Sequence, residues 1–195
     1  KPIVFPQQTT IYSLHVTNRW GCRVIDTVEV VVYQSPELDA GEDIAICSGS
    51  VAKIGKKQEE PNNEYKWLDN ALISDVNKME QSVSPETTTE FVLQAKNFYG
   101  CTKYDTVTVH VSPPINVELG NDIVMCANER FVRQYKVSGG FERIKEVEWL
   151  NSENVDTRKQ LSAIFDISEP GEYEYIVRAE DILGCFGYDT LNVTV

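Results

Sequence analysis

One motif occurs three times in this chain, and its spacing constrains the fold more than any other feature. Each copy has a Gly-Cys pair, followed by Asp-Thr and an apolar residue that begin four positions after the cysteine. The copies are Gly21-Cys22 with Asp26-Thr27-Val28, Gly100-Cys101 with Asp105-Thr106-Val107, and Gly184-Cys185 with Asp189-Thr190-Leu191. The interval from the first cysteine to the second is nearly the same as that from the second to the third. Self-similarity at a fixed period is the signature of tandem structural units.

A second motif repeats with the same period. Its two copies begin at Gly41 and Gly120 and end at Cys47 and Cys126, and this interval equals the one between Cys22 and Cys101. Further landmarks fall at matching places: Trp67 and Trp149 between the two motifs, and Tyr12, Phe91 and Tyr175 ten positions before the Gly-Cys cysteines. We expect these five aromatic residues to lie in the cores of the units.

Prolines mark the boundaries between units. Pro36 and the Pro113-Pro114 pair follow strand-like segments and precede the next motif, where linkers are expected. The sequence predicts the C-terminal half of a truncated unit in residues 1–35, and complete units in 36–113 and 114–195. The simplest interpretation is a window from a longer array, whose neighbouring repeats are the expected partners of these units.

Period-two alternation predicts β-strands in every unit. Apolar residues alternate before and after each Gly-Cys turn, as in Phe91, Leu93 and Ala95 and then Val107, Val109 and Val111. Each unit should therefore end in a hairpin with one apolar face, and the fold class should be all-β. Residues 71–80 are compatible with a short helical or an irregular crossing.

Five cysteines suggest a disulfide framework. Units of about 80 residues bury a limited core, so cross-links help to stabilise them. We pair Cys47 with Cys101 and Cys126 with Cys185, closing loops of about 54 and about 59 residues, each worth about 4 kcal/mol on the loop-entropy model. Cys22 is then left unpaired by truncation. Such disulfides indicate an oxidising, extracellular location.

The order Cys…Trp…Cys in a strand-rich unit favours an immunoglobulin-like sandwich, and the repetition favours several such domains arranged end to end. The second cysteine here follows the hairpin turn rather than lying inside the preceding strand. The strand ends that the bridges join therefore stay open at this point.

The charge balance excludes some functions. The chain has 18 basic and 30 acidic residues and a net charge of −12, which argues against nucleic acid and anionic membrane surfaces as partners. No apolar run approaches the ~20 residues of a membrane span, so direct membrane insertion is not expected.

The motifs resemble a known family. The pattern from Asp39 to Cys47, Tyr65-x-Trp67, residues 87–91 and the Gly-Cys turn are similar to the PKD-like, immunoglobulin-like tandem repeats of large cell-surface proteins in Bacteroidota. The resemblance implies an adhesin exported by type IX secretion, in some cases serving gliding motility. It implies a stalk or filament segment at the cell surface, with extracellular polysaccharide or a surface ligand as a candidate partner. Spacer domains of a secreted hydrolase are an alternative.

The sequence predicts no catalytic residues. Its two histidines, His15 and His110, lie on strands and point away from the apolar face. No serine has a nucleophile-elbow context, and no Cys/His cluster has zinc spacing. We therefore expect this segment not to be an enzyme.

Calcium is the one candidate cofactor. Oxygen-bearing side chains follow the linkers and could bind a cation at a domain junction; they are Asp39, Glu42, Asp43, Asn121 and Asp122. The alternative is that Gly41 and Gly120 mark turns, in which the aspartates bond their own backbone.

The Asp-Thr positions also have two interpretations. A repeated strand position is usually structural, because Asp can bond nearby backbone groups and Thr suits a pleated strand. Alternatively, the resemblance implies O-glycosylation at Thr27, Thr106 and Thr190.

A carbohydrate-binding module is the alternative function. Trp20, Phe98 and Tyr99 lie in hairpin turns, where exposed aromatic rings could stack on a sugar. The competing interpretation is that these rings pack on the neighbouring unit.

Overall fold

The computed structural model describes residues 2–57, 60, 62–68, 70–156 and 162–195, and all regular structure in them is β-strand. The all-β prediction is confirmed. None of these residues form a helix long and apolar enough to cross a membrane.

The chain begins with an isolated hairpin, which we call the first hairpin. Strand β1 (Thr10–Thr17) pairs antiparallel with β2 (Arg23–Val30), and Tyr12 lies opposite Val28. This two-stranded sheet has no second layer in the described structure, so Leu14 and Val28 keep 64% and 60% of their surface exposed. Tyr12 is only half-buried for the same reason.

In the part of the middle unit that the structure describes, there are six strands. They are β3 (Ile44–Cys47), β4 (Ala52–Ile54), β5 (Asn63–Trp67), β6 (Gln81–Val83), β7 (Thr89–Asn97) and β8 (Thr102–Ser112). One sheet has the order β3-β8-β7-β5, and β4 and β6 form a second sheet. Trp67 and Phe91 are almost fully buried between them.

Residues 71–80 cross between β5 and β6 as a series of turns rather than a helix. The Asn70 and Asp75 side chains accept hydrogen bonds from the backbone N–H groups of Leu72 and Asn77, both at 3.0 Å. Such local side-chain acceptors compete with helical hydrogen bonds. Ile73 is buried in the core, which anchors the crossing.

The described residues of the last unit form nine strands. They are β9 (Asn116–Glu118), β10 (Ile123–Val124), β11 (Arg130–Gln134), β12 (Lys136–Ser138), β13 (Ile144–Trp149), β14 (Val155–Asp156), β15 (Ser162–Asp166), β16 (Glu172–Asp181) and β17 (Phe186–Thr194). The sheet β10-β17-β16-β13 faces the sheet β11-β15-β14, and β12 pairs with β9. Trp149, Phe165 and Tyr175 form an edge-to-face aromatic cluster in the core.

In both larger units the strand of the second motif runs parallel to the last strand of the unit. We call the first of these the opening strand (β3 and β10) and the second the closing strand (β8 and β17). Ile44 lies opposite Val109 and Cys47 opposite Ser112, while Ile123 lies opposite Val193. The second-motif cysteine is therefore level with the C-terminal end of the closing strand. The Gly-Cys cysteine precedes that strand and lies at the opposite pole of the unit.

This geometry makes the predicted disulfide pairs wrong. Cys47 is bonded to Cys185 of the last unit, with the Cα atoms 5.5 Å apart, and Cys22, Cys101 and Cys126 are free. Cys101 directly precedes β8, and Cys47 lies opposite Ser112, the last residue of that strand. At about 3.3 Å per residue, the length of β8 separates Cys47 from Cys101 by roughly 35 Å. A disulfide requires Cα atoms within about 7 Å. The same separation along β17 keeps Cys126 away from Cys185.

Candidate functional site: the junction between units

Each Gly-Cys cysteine is held by the same turn. At the start of the turn an Asn or Asp side chain accepts a hydrogen bond from the cysteine N–H, at 2.9–3.0 Å in all three copies. The residues are Asn18, Asn97 and Asp181. The glycine before the cysteine has φ between +84° and +88°, a conformation that side chains disfavour. The turn fixes the direction of the cysteine and presents it at the pole of the unit.

Asp181 joins the last unit to the end of the middle unit. Its Oδ2 atom accepts hydrogen bonds from Ser112 Oγ and from Phe141 N, both at 2.8 Å, and its Oδ1 atom accepts those of Leu183 N and Cys185 N at 2.9 Å. Asp181 and Ser112 are 0% and 1% exposed. A carboxylate buried between two units is thus fully engaged with donors.

The environment of Asp181 has two opposing effects on its pKa. Burial raises the pKa, whereas hydrogen bonds from Phe141 N, Ser112 Oγ, Cys185 N and Leu183 N lower it, and the net pKa lies below the ordinary aspartate value. Hydrogen bonds to a charged carboxylate favour its ionised form. The junction therefore contains a stable negative charge.

Three glycines seat the linker against the last unit. A Cβ atom on Gly139 would overlap the carbonyl oxygen of Pro114, and one on Gly187 would overlap that of Ile115. Gly140 N also donates to the Pro113 carbonyl at 3.2 Å. The backbone of residues 113–115 therefore lies directly on these glycines, where no larger residue fits without displacement.

The disulfide lies beside this linker. Cys47, Ser48 and Ser50 of the middle unit, with Gly184, Cys185 and Phe186 of the last, line a cleft of about 590 Å³ next to residues 112–115. The covalent bond, the buried carboxylate and the seated linker act at one place. This arrangement fixes the relative position of the two units at their junction.

The first hairpin meets the middle unit through equivalent residues. Tyr33 and Gln34 precede Ser112 and Pro113 by one period of the repeat. Asn97 Nδ2 donates to the Gln34 carbonyl at 2.8 Å, and Cys101 Sγ lies 3.9 Å from the Tyr33 carbonyl oxygen. Tyr33 also stacks on Tyr99, with ring centroids 3.7 Å apart. Each unit thus receives the preceding one at its Gly-Cys turn.

In the two larger units, the aspartate of the Asp-Thr pair holds the start of the unit. Asp105 accepts a hydrogen bond from Ala40 N, and Asp189 accepts one from Leu119 N, both at 2.7 Å. Thr106 and Thr190 project outwards and are exposed, as is Thr27. The geometry gives these aspartates a structural role, and glycosylation of the three threonines stays a prediction.

The candidate calcium ligands bond to the protein itself. Asp43 accepts a hydrogen bond from Thr108 N at 2.8 Å, and Asp122 accepts one from Asn192 N at 3.0 Å, which ties each opening strand to its closing strand. Lys56 Nζ lies 2.7 Å from Asp39 Oδ2 and lowers the pKa of that carboxyl. In the described part of the chain, no three His, Cys, Asp or Glu side chains are grouped to hold a metal ion. Glu42 and Asn121 are exposed, and a calcium site stays a prediction.

The sequence predicts the Gly-Cys turns, but not all of the residues that form the junction. Asp181 could have been predicted as a turn residue, because an Asn or Asp stands at the same place before every Gly-Cys pair. Ser112 and Gly187 could not, because Tyr33 and Lys103 occupy their positions one period earlier. Trp67, Trp149, Phe91 and Tyr175 lie buried in the two cores.

The comparisons with known proteins concern the fold. No protein-family model and no curated protein sequence matches the chain. The N-terminal eight Ig domains of Down Syndrome Cell Adhesion Molecule (DSCAM) isoform 1.30.30 superpose with a TM-score of 0.59 at 15% identity, over 95% of this chain and 27% of that one. The titin I-band fragment I67–I69 superposes with a TM-score of 0.49 at 14% identity, over 84% and 66%. With the sheets and cores described above, the first superposition shows that the chain is a tandem array of immunoglobulin-like β-domains.

Proposed function

We propose that this chain is a connecting segment of an extracellular, adhesion-type protein, in which immunoglobulin-like units hold distant parts of the molecule at a fixed separation. The observation that carries the proposal is the covalent junction between Cys47 and Cys185. A disulfide that joins two units contributes to their relative position, whereas one inside a unit stabilises that unit alone. The proposed role of the segment is mechanical, and it involves no catalysis.

Several features support an extracellular location at a cell surface. Disulfides persist in oxidising compartments, and the superposed DSCAM is named a cell adhesion molecule. The resemblance to Bacteroidota surface repeats supports a stalk of a type IX-secreted adhesin, with gliding motility as the finer proposal. On this proposal residues 36–113 and 114–195 are the complete units and the segment has no enzymatic activity.

Small-angle scattering tests the connecting role. A compact globule of this length would have a radius of gyration of about 16 Å, and we expect the oxidised chain to exceed that value clearly. The variant Cys47→Ser/Cys185→Ser should show a broader distribution of distances, because the junction then depends on hydrogen bonds and the packing of the linker, without a covalent bond. A radius near the compact-globule value, or identical distributions for the two proteins, would contradict the proposal.

Carbohydrate binding is the second candidate, and one cleft favours it. Phe98 is 84% exposed beside the amide side chains of Asn62 and Asn63, an arrangement that could stack on and hydrogen-bond to a sugar ring. Tyr99 instead stacks on Tyr33, as expected for a turn residue packed on a neighbour. Titration with soluble polysaccharides should show binding that Phe98→Ala abolishes and Trp20→Ala retains. Equal weak binding by all three proteins would remove this candidate.

A further inference from the structure

The Cys47–Cys185 bond is made of two different half-sites. One is the cysteine at the end of an opening strand, and the other is the cysteine of a Gly-Cys turn in the following unit. Both half-sites recur in the chain. Cys126 ends the second copy of the same motif, two residues after strand β10, and Cys22 and Cys101 are the other turn cysteines.

Cys126 repeats the position of Cys47. Cys47 lies opposite Ser112, one residue beyond Val111 of the closing strand. In the last unit, Ile123 lies opposite Val193 and Met125 N donates to the Thr194 carbonyl at 3.0 Å. That register places Cys126 one residue beyond Val195, at the pole remote from Cys185. Its side chain is exposed there.

Cys101 repeats the position of Cys185. Both cysteine N–H groups are held at 2.9 Å by the side chain that opens the turn, and both follow a glycine at φ near +86° to +88°. Both opening residues also bond to the preceding segment: Asp181 accepts a hydrogen bond from Ser112 Oγ, and Asn97 Nδ2 donates one to the Gln34 carbonyl. The junction between the first hairpin and the middle unit (the first junction) therefore uses the same turn as the junction between the middle and last units (the second junction), and Cys101 Sγ faces the carbonyl of Tyr33, the counterpart of Ser112.

We propose that Cys126 and Cys101 form inter-unit disulfides of the Cys47–Cys185 type, and that their partners are cysteines of neighbouring units of the same kind. Cys126 takes the turn cysteine of the unit that follows, and Cys101 takes the opening-strand cysteine of the unit before it. This deepens the connecting role proposed above, on which it rests. In each case two thiols form one S–S bond, and their two electrons and two protons pass to a small-molecule disulfide, which is reduced to two thiols.

An extended chain tests the Cys126 half-site. A second copy of residues 112–195 is fused directly after Val195, because Ser112 follows Val111 at the equivalent place. The protein is refolded with oxidised and reduced glutathione, and its disulfides are mapped by non-reducing peptide mass spectrometry. We expect the Cys47–Cys185 link to persist and a new link to join Cys126 to Cys185 of the added copy. Cys126→Ser in the first copy should leave the added Cys185 free to react with a thiol label.

The Cys101 half-site is tested from the other side. A copy of residues 36–79 is placed before Lys1, which corresponds to Glu80 one period later. We expect the added Cys47 to bond with Cys101, while Cys22 stays reactive towards the label.

Two results would overturn the inference. One is a bond inside an added unit: Cys126 to Cys185 within the appended copy, or the added Cys47 to Cys22. The other is that Cys101 and Cys126 stay fully labelled while the Cys47–Cys185 link is present. The scattering experiment depends on shape alone and is carried out on the chain without added units, so the connecting role can fail or hold independently of these bonds.

Discussion

At the scale of single residues, Asp181 accepts four hydrogen bonds at the second junction, one of them from Ser112 of the middle unit. Asp181→Asn should preserve the turn, since Asn opens the other two copies. It replaces an acceptor by an amide N–H group that faces Phe141 N. One buried donor is then left without an acceptor, which costs about 1–3 kcal/mol. We expect a loss of that size in the free energy of unfolding of the last unit, measured by urea denaturation.

Asn97→Asp is the matched control. Asn97 Nδ2 donates to the Gln34 carbonyl across a more exposed contact, so the reverse change should affect stability much less. A similar loss in both variants would mean that the buried carboxylate has no special role.

The same carboxylate makes the junction sensitive to acid. The pKa of Asp181 is lower in the folded protein than its ordinary value, so its ionised form is favoured by folding. The corresponding stability is fully present above the unfolded pKa of about 4 and is lost as the pH falls through the folded value. The stability difference between the wild type and Asp181→Asn should therefore be constant near pH 7 and shrink below pH ~4. A difference that is unchanged at pH 2–3 would contradict this assignment.

At the scale of elements, the linker lies so close to β17 that no side chain fits between them at Gly187. Gly187→Ala adds a Cβ atom that overlaps the Ile115 carbonyl oxygen, and backbone must move to accommodate it. Overpacking of this kind costs about 1–3 kcal/mol, which we expect as a lower midpoint of thermal unfolding for the last unit.

Gly171→Ala is the control for that substitution. A Cβ atom at Gly171 would meet only the Tyr173 ring, at 3.4–3.6 Å, which is ordinary contact. Its effect should stay within about 0.5 kcal/mol. If both variants unfold at the same temperature, the linker is not seated as described.

Strands were predictable from the sequence because alternation is a local property. The faces of β7 and β8 were readable from Phe91, Leu93, Val107 and Val109, and the Gly-Cys turns from their glycines. The parallel pairing of β3 with β8 is a contact between distant segments, and no period-two pattern records it. The predicted disulfide pairs were wrong for that reason. The sequence pattern does not show that Cys47 lies at the end of the unit opposite to Cys101.

At the scale of the whole molecule, each unit has two unlike poles. A Gly-Cys turn receives the preceding unit, and the end of a closing strand delivers the chain to the next one. Because the two faces of the Cys47–Cys185 junction are different, successive units can be added head to tail without a change of contact. An interface between two different faces is called heterologous, and repeating it lengthens the array of units in one direction.

The Cys47–Cys185 bond also determines which residues would feel a pull on the chain. Tension applied at the two ends passes from residue 1 to Cys47, crosses the disulfide, and continues from Cys185 to residue 195. The segment between these cysteines, with a sequence separation of 138, is bypassed, and it contains the buried residues Trp67, Phe91 and Tyr175. At about 3.4 Å per residue, roughly 470 Å of contour length cannot be extended while the disulfide is intact.

Single-molecule stretching should measure this difference in contour length. The oxidised chain should reach full extension about 470 Å short of the reduced chain, and Cys47→Ser/Cys185→Ser should reach the longer value without reductant. Equal extensions with and without reductant would contradict this force path. The first hairpin and the strands β3 and β17 lie outside the bypassed segment. Because the hairpin has no second layer, whereas β3 and β17 pack in the two cores, we expect the hairpin to open before either strand is pulled out.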